Sequence, residues 1–559
     1  MKKYILSAIA VTGMFAMTSC EDFLKPTSEG EYSTDSYFLN DQQAIDAVDG
    51  LYDGMQDEAC FGREIMWEQG AANDFVWGRT RSYPTLATLS LTGSVGPLND
   101  AWGRLTRCQQ RSNYVIDALL KKQSKGELTA IEKRSLGEAY FMRAFSHFYI
   151  AYRYGTKDQG VPFTRFEDFE GGYDYSIPVQ QPTVMDNYKM IIEDLDKAEA
   201  LLPTVEEYSD ADFGRAHKAA CEGYKAKVYA YWACWDKSQY ANVITAVNKM
   251  MSDYGRDLAE NFTDNFTSDY SKWRNKEYVW TIPSEGGGAG KGGIEFVGVS
   301  LENGAWGYMN GWGQFKPSYD IFAEMQKDTP NLISGAGDDD SNIRLRNSIL
   351  EYGQPFTFFG DPMRYYSAHV DVEVGFQIAK YLEPFSHPDP IGTGYVSDNG
   401  DWPTARINYP ILRFADCLLL RAEAKLATGD AAGAAADINK VRNRSNVKSL
   451  PGNATWADLY HERRVELAFE ASDHLYDLKR WAVGGDADIK ALAIAELEKH
   501  PDVVLHDDPL DPDSPANVAP YADYQSPVKK WEDYKIVFPY RDTEIANSNG
   551  ALKQNKGYE

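Results

Sequence analysis

At 559 residues the chain can bury a large core, and its length alone allows two to four domains. A formal charge of −26 repels nucleic acid, anionic lipid and polyanionic glycans, which leaves a neutral ligand as the easier partner. Aromatics are rich at 13%, with 13 Trp and 36 Tyr, against an ordinary hydrophobic share of 43%.

The chain opens on basic Met1-Lys2-Lys3 and an apolar run from Tyr4 to Met17, too short to span a bilayer as a permanent helix. Met17-Thr18-Ser19-Cys20 follows directly and resembles a lipobox, which predicts a signal peptide over 1–19 and a lipid-bearing Cys20. Removing the leader takes Lys2 and Lys3 but no acid, so the formal charge falls from −26 to about −28. The other five cysteines (Cys60, Cys108, Cys221, Cys234, Cys417) are odd in number, widely spaced and free of Cys-x-x-Cys. They support neither a disulfide framework nor a zinc site and read as small buried hydrophobes.

Asp41 to Asp57 reads as a helix, and Gly62 to Val95 is irregular and Gly/Thr/Ser-rich. Helices resume over Leu98 to Lys122. Thr129-x-x-Glu132 is a capping box, followed by an apolar line at Phe141, Phe145, Phe148 and Tyr152. Thr183 to Leu202, opened by Thr183-x-x-Asp186, Ala216 to Trp235 and Tyr240 to Tyr254 are further helices. Glu277 to Pro283 is a predicted strand, and the chain then runs through glycine, proline and Asn/Asp-rich sequence to about Pro410. Leu412, Ala415, Leu419, Ala422 and Leu426 form a helical stripe. Gly429 reads as a C-cap and Asp430 as the start of a second helix striped by Ala434, Ile438 and Val441. So short a loop predicts an αα-hairpin of the tetratricopeptide kind. Thr455-x-x-Asp458 opens another helix, in which Arg463 lies on the apolar line with Glu466 and Glu470 one and two turns away as partners. His506 to Pro515 reads as a surface loop.

The Ala-Glu-Ala helix, Asn439 to Ser445 ("NKVRNRS"), Glu462 to Glu470 ("ERRVELAFE"), Asp477 to Trp481 ("DLKRW") and the closing Phe538-Pro539-Tyr540-Arg541-Asp542 block come in an order that resembles the SusD/RagB family of Bacteroidetes outer-membrane glycan-binding lipoproteins. Gly137 to Gly155 with Val161-Pro162-Phe163 resembles the family's first repeat, and Glu21-Asp22 its acidic outer-face signal. The resemblance implies a mostly α fold: a tetratricopeptide-like helix-pair scaffold, about four units over roughly 20–275 and 405–559. An irregular loop-rich ligand-binding subdomain over about 276–404 belongs to the same single domain, 20–559. It also implies a non-catalytic protein, lipid-anchored and facing the cell exterior, that delivers neutral glycan to a SusC-like TonB-dependent transporter. No cofactor is expected. Capture of peptide or glycopeptide on the same scaffold is the alternative.

Two segments are the candidate ligand-binding loops. Trp306, Tyr308 and Trp312 stand among four glycines between Asn303 and Gly313, where aromatic faces suit the C–H faces of sugar rings and amides suit their hydroxyls. In the early loop Trp77 is a stacking candidate, with Asn73, Asp74 and Arg79 as hydrogen-bonding groups and Tyr83 nearby. Trp280, alternating with Val279 and Thr281, reads as core. Enzyme signatures fail: Gly286 to Lys291 lacks the P-loop's following Ser/Thr, and there is no Gly-x-Ser-x-Gly or His-Glu-x-x-His. Glu462, Glu466 and Glu470 read as partners of nearby arginines, and Asp338-Asp339-Asp340 as a solvated turn.

Overall fold

Each Thr-x-x-acid box begins a helix. Thr129, Thr183 and Thr455 all accept from the third helical amide while the acid three residues on accepts from the cap's own N–H, which satisfies two orphan donors at once. The computed structural model describes residues 38–68, 72–77, 84–169, 179–284, 313, 315–328, 342–366, 375–388, 406–471, 474–521 and 529–559. Its main helices are α1 (Asp41–Gln56), α2 (Gly96–Gln123), α3 (Ala130–Tyr154), α4 (Val184–Leu201), α5 (Lys218–Trp232) and α6 (Tyr240–Ser252). They continue with α7 (Tyr319–Gln326), α8 (Phe414–Ala427), α9 (Ala431–Arg444), α10 (Trp456–Glu466), α11 (His474–Gly484) and α12 (Ala487–Glu498). The fold is mostly helical, and neighbours in sequence pack as pairs: α2 on α3, α3 on α4, α5 on α6, α8 on α9 and α11 on α12.

α3 is buried almost all round, as a central helix must be, and its charges are therefore paired. Arg143 binds Asp194 at 2.8 Å and Glu167 at 2.7 Å, and Arg153 binds Glu68 at 2.9 Å. Phe141 and Phe145, which flank Arg143, have rings that meet Tyr224 of α5 and Trp280 in edge-on contacts 4.7–5.5 Å apart. Trp280 is thus core, as its alternation predicts, at 1% exposure. Burying rings of this size contributes roughly 1.5–3 kcal/mol each.

The strands are short and paired in twos. They are β1 (Phe75–Trp77), β2 (Tyr278–Ile282), β3 (Phe315–Pro317), β4 (Ile349–Glu351), β5 (Pro355–Phe358), β6 (Asp361–Arg364), β7 (Phe376–Ile378), β8 (Tyr409–Arg413), β9 (Asp502–His506) and β10 (Ala516–Pro520). β2 pairs antiparallel with β8, Ile282 opposite Tyr409, so the loop-rich excursion leaves and rejoins the helical frame at one point. This pairing corrects the expected helix start at Leu412: Tyr409 to Arg413 is extended and the helix begins at Phe414. A hairpin of β9 and β10, unforeseen in the sequence, frames the Asp/Pro-rich loop.

The expected partners of Arg463 also need correction. It reaches Asp416 of α8 at 2.9 Å and Asp477 of α11 at 2.6 Å, not Glu466 at the end of its own helix or Glu470 beyond it. Those glutamates are held, as expected, by arginines: Glu466 by Arg413 (2.7 Å) and Arg444, Glu470 by Arg413 (2.6 Å), and Glu462 by Arg442 (3.0 Å) and Arg344. Cys60, Cys108, Cys221 and Cys417 are buried thiols, Cys234 is half-buried, and all five are free.

Candidate functional site

The early candidate loop is paired with the strand that follows Gly313 in the chain. β1 pairs antiparallel with β3 in the register Phe75 to Pro317, Val76 to Lys316 and Trp77 to Phe315. Because the pairing is antiparallel, the chain leaving β1 at Trp77 and the chain entering β3 at Phe315 are attached to the same end. Trp77 and Phe315 therefore stand opposite each other at that end. Gly313 holds a left-handed φ of 58° just ahead of β3, a conformation that favours glycine and accounts for the second Gly of Gly-Trp-Gly. Trp306, Tyr308, Trp312, Arg79, Tyr83 and Cys20 lie outside the described residues; Trp77 is described as the last residue of β1.

The β1–β3 ribbon itself is locked to the helical frame. Phe75 and Phe315 meet edge-on at 5.1 Å, and Phe315 meets the buried Trp67 at 5.7 Å. Ser318 closes the base: its N–H donates to the Asp74 carbonyl (3.1 Å) and its hydroxyl donates to the Asn73 carbonyl (2.5 Å). Lys316 is buried, donates to the Tyr365 hydroxyl (3.2 Å) and Gln377 Oε1 (3.3 Å), and burial drives its amine well below the usual lysine range.

Here the assignment of Asn73 and Asp74 to ligand contact is corrected. Asn73 is 0% and Asp74 4% exposed. Asn73 sits at φ 65°, donates to the Glu496 carbonyl at the end of α12 (2.9 Å) and accepts from Lys529 (3.1 Å). Burial brings that Lys529 amine down to about 7, against the opposing pull of Glu496 and Asp320. Asp74 binds Arg464 of α10 at 2.9 Å and His474 of α11 at 2.6 Å. Burial pushes its carboxyl up, but His474 and Arg464 outweigh burial and hold it below the ordinary carboxylate range. Both side chains therefore position the ribbon and do not face a ligand. A buried carboxylate in a polar loop reads the same in sequence as an exposed one, because its cations stand 390 and 400 residues away.

A second anchor holds α7, the helix after β3. His461 of α10 bonds Glu324 through Nδ1 (2.7 Å) and Asp328 through Nε2 (2.8 Å). Burial favours neutral imidazole, yet the two carboxylates prevail and raise His461 to about 9, so it is an imidazolium at neutral pH. Among the described residues no cluster of His, Cys, Asp or Glu is arranged to hold a metal ion.

Paired helices and a short, anchored ribbon make a stiff frame of the kind from which loops are presented. Comparison with known proteins agrees. Residues 276–558 match the model described as "SusD family", and residues 22–230 match "Starch-binding associating with outer membrane". The chain belongs to the SusD family. It is 25% identical over 497 residues to a SusD-like protein of Bacteroides ovatus, covering 85% of this chain and 82% of the relative. A solved SusD-like protein of Bacteroides fragilis shares the fold at a TM-score of 0.71 and 20% identity, over 94% of this chain and 98% of that one. So does a structure with xylogluco-oligosaccharide, at a TM-score of 0.69 and 21% identity, over 91% and 98%.

Proposed function

We propose that the chain is a cell-surface glycan-binding lipoprotein, anchored through Cys20 in the outer membrane and facing outward. It passes neutral oligosaccharide to a SusC-like TonB-dependent transporter and makes or breaks no bond. The observation that carries this reading is the common root of the two aromatic segments on the β1–β3 ribbon, which puts Trp77 at the attachment point of the segment bearing Trp306, Tyr308 and Trp312. On this reading the aromatic faces of Trp77, Trp306, Tyr308 and Trp312 stack on sugar faces, while Arg79 and Tyr83 supply hydroxyl partners. The oligosaccharide in the related structure and the family description, which names starch and the outer membrane, support the ligand class and the location. No helix among the described residues is long and apolar enough to cross a membrane.

Affinity electrophoresis of the mature protein against a panel of neutral polysaccharides tests the reading. Retardation by at least one is expected; retardation by none removes the glycan assignment. Trp306→Ala and Trp77→Ala should each weaken binding to the retained polysaccharide by ~1–3 kcal/mol, the cost of truncating a stacking ring. Cys20→Ala should release the protein from the membrane fraction.

A further inference from the structure

A cavity of about 400 Å³ lies apart from the ribbon, between the last turns of α1, the segment Ala211–Arg215 and the end of β2. Helical spacing puts Asp49, Tyr52, Asp53 and Gln56 along one wall, since residues three, four and seven apart share a face. Arg215 stands across from them, and the floor is apolar, made by Met55, Ile282 and Pro283. The room suits a ligand of several heavy atoms with an apolar body.

What the walls still offer decides the kind of ligand. The donors already face the protein. Arg215 gives one terminal nitrogen to Asp49 (2.8 Å), the other to Glu138 (3.0 Å) and Nε to Asp212 (3.1 Å). The Tyr52 hydroxyl donates to Glu138 (2.8 Å) and accepts from the Ala216 N–H (3.0 Å). The Gln56 amide donates to the Pro283 carbonyl (2.8 Å). The acceptors are left over. Asp53 is exposed and has no hydrogen bond or ion pair among the described residues. Asp49 engages Arg215 through one carboxylate oxygen and is half exposed. Three carboxylates (Asp49, Glu138, Asp212) hold Arg215 and Asp53 lines the same cavity, with Arg134 behind on Glu138 and Asp212. The surplus is negative and accepting, over an apolar floor.

We propose that this cavity binds an organic cation, an ammonium or guanidinium on a short apolar stem, with the charged head at Asp53 and Asp49 and the stem on Met55, Ile282 and Pro283. Such a head donates two or more hydrogen bonds and carries the charge the rim lacks, whereas a neutral alcohol donates one and an anion is repelled. The same chemistry is presented by a free amine and by the lysine or arginine side chain of a docked protein. The site is independent of the ribbon and of the glycan reading.

Isothermal titration and saturation-transfer NMR of the mature protein with n-butylammonium and n-butylguanidinium test this, beside n-butanol and butyrate at the same concentrations. Saturable binding of the cations alone is expected, weakened by added salt and by at least about tenfold in Asp53→Asn. Asp53→Lys should abolish it by placing an amine in the mouth. Among the described residues Asp53 has no side-chain partner to lose, so both variants should melt with the wild type, which separates loss of the site from loss of the fold. Nα-acetyl-lysine amide distinguishes the sources: tighter binding than n-butylammonium assigns the cavity to a protein side chain, equal or weaker binding to a small amine. Absence of saturable cation binding, equal binding of n-butanol, or unchanged binding in Asp53→Asn would overturn the proposal.

Discussion

Asp74 shows how one carboxylate decides what a loop can do. It is buried, yet it stays ionised because Arg464 and His474 approach it from two different helices. Removing its charge leaves the Arg464 guanidinium buried with Glu496 at 3.4 Å as its remaining carboxylate. Asp74→Asn keeps the shape and should cost about 3–5 kcal/mol, the range for breaking a buried pair from one side. Urea unfolding measures it, and a loss under about 0.5 kcal/mol would show that the ribbon does not depend on this pair. Because Asp74 sits at the anchored end, the folded variant should also retain glycan less well, although the Asp74 side chain itself faces the protein interior.

At the scale of elements, α7 is fastened to α10 by a titratable group. His461 is raised to about 9 in the fold from an ordinary value of 6.5, so its contribution is full below about pH 6.5 and disappears as pH rises through about 9. Glu324, which burial pushes up but His461 and Lys327 pull down to about 2, keeps its charge across that window. The stability difference between wild type and His461→Gln should therefore be about 3 kcal/mol at pH 6 and close to nothing at pH 10. Taking the difference matters, since Lys479 and Lys529, both brought down to about 7 mainly by burial, give the opposite slope in both proteins. A difference that stays flat from pH 6 to 10 would refute the latch.

The elements also show where sequence reading succeeds and where it stops. Caps are local, so Thr129, Thr183 and Thr455 begin their helices where the spacing says, while α8 is capped by Thr428 and Gly429 (φ 89°), the expected cap, is the left-handed residue just after it. Leu412 misleads because the same apolar spacing continues back into β8, whose conformation is set by pairing with β2, 128 residues earlier at Thr281 and Tyr409. Arg463 misleads for a related reason: the acids nearest in sequence are taken by other arginines, and its partners come from neighbouring helices. Within the candidate site the ribbon is invisible to pattern, since Phe75–Trp77 and Phe315–Pro317 are each three residues long. Nothing so short carries a periodicity. Asn73 and Asp74 look like ligand groups because composition reports polarity and not burial.

For the whole molecule, the junction between scaffold and loop-rich excursion is a buried knot of charge. Arg413, at the end of β8, binds Glu277 just before β2 (2.5 Å), Glu466 at the end of α10 (2.7 Å) and Glu470 beyond it (2.6 Å). Arg444 of α9 reaches Glu277 (2.7 Å) and Glu466, and Lys380 reaches Glu470 (2.8 Å). Burial pushes the Glu466 carboxyl up, but Arg444, Arg413 and Arg344 hold it down to about 2. The two ends of the excursion and three scaffold segments therefore share one set of ions, and neither part can open without exposing the other's charges. Arg413→Met should remove about 3–5 kcal/mol, by leaving three carboxylates short of their common cation. Wild type and variant should each unfold in urea as a single transition, followed together by tryptophan fluorescence and far-UV dichroism. The gap between them should narrow from pH 7 to pH 5. The wild-type Glu466 gives up its contribution only as pH falls from about 4.5 through about 2, whereas the released carboxylates of the variant take up protons earlier. Two separated transitions in the wild type, or a gap that widens on acidification, would mean that scaffold and excursion are held together by packing and not by this knot.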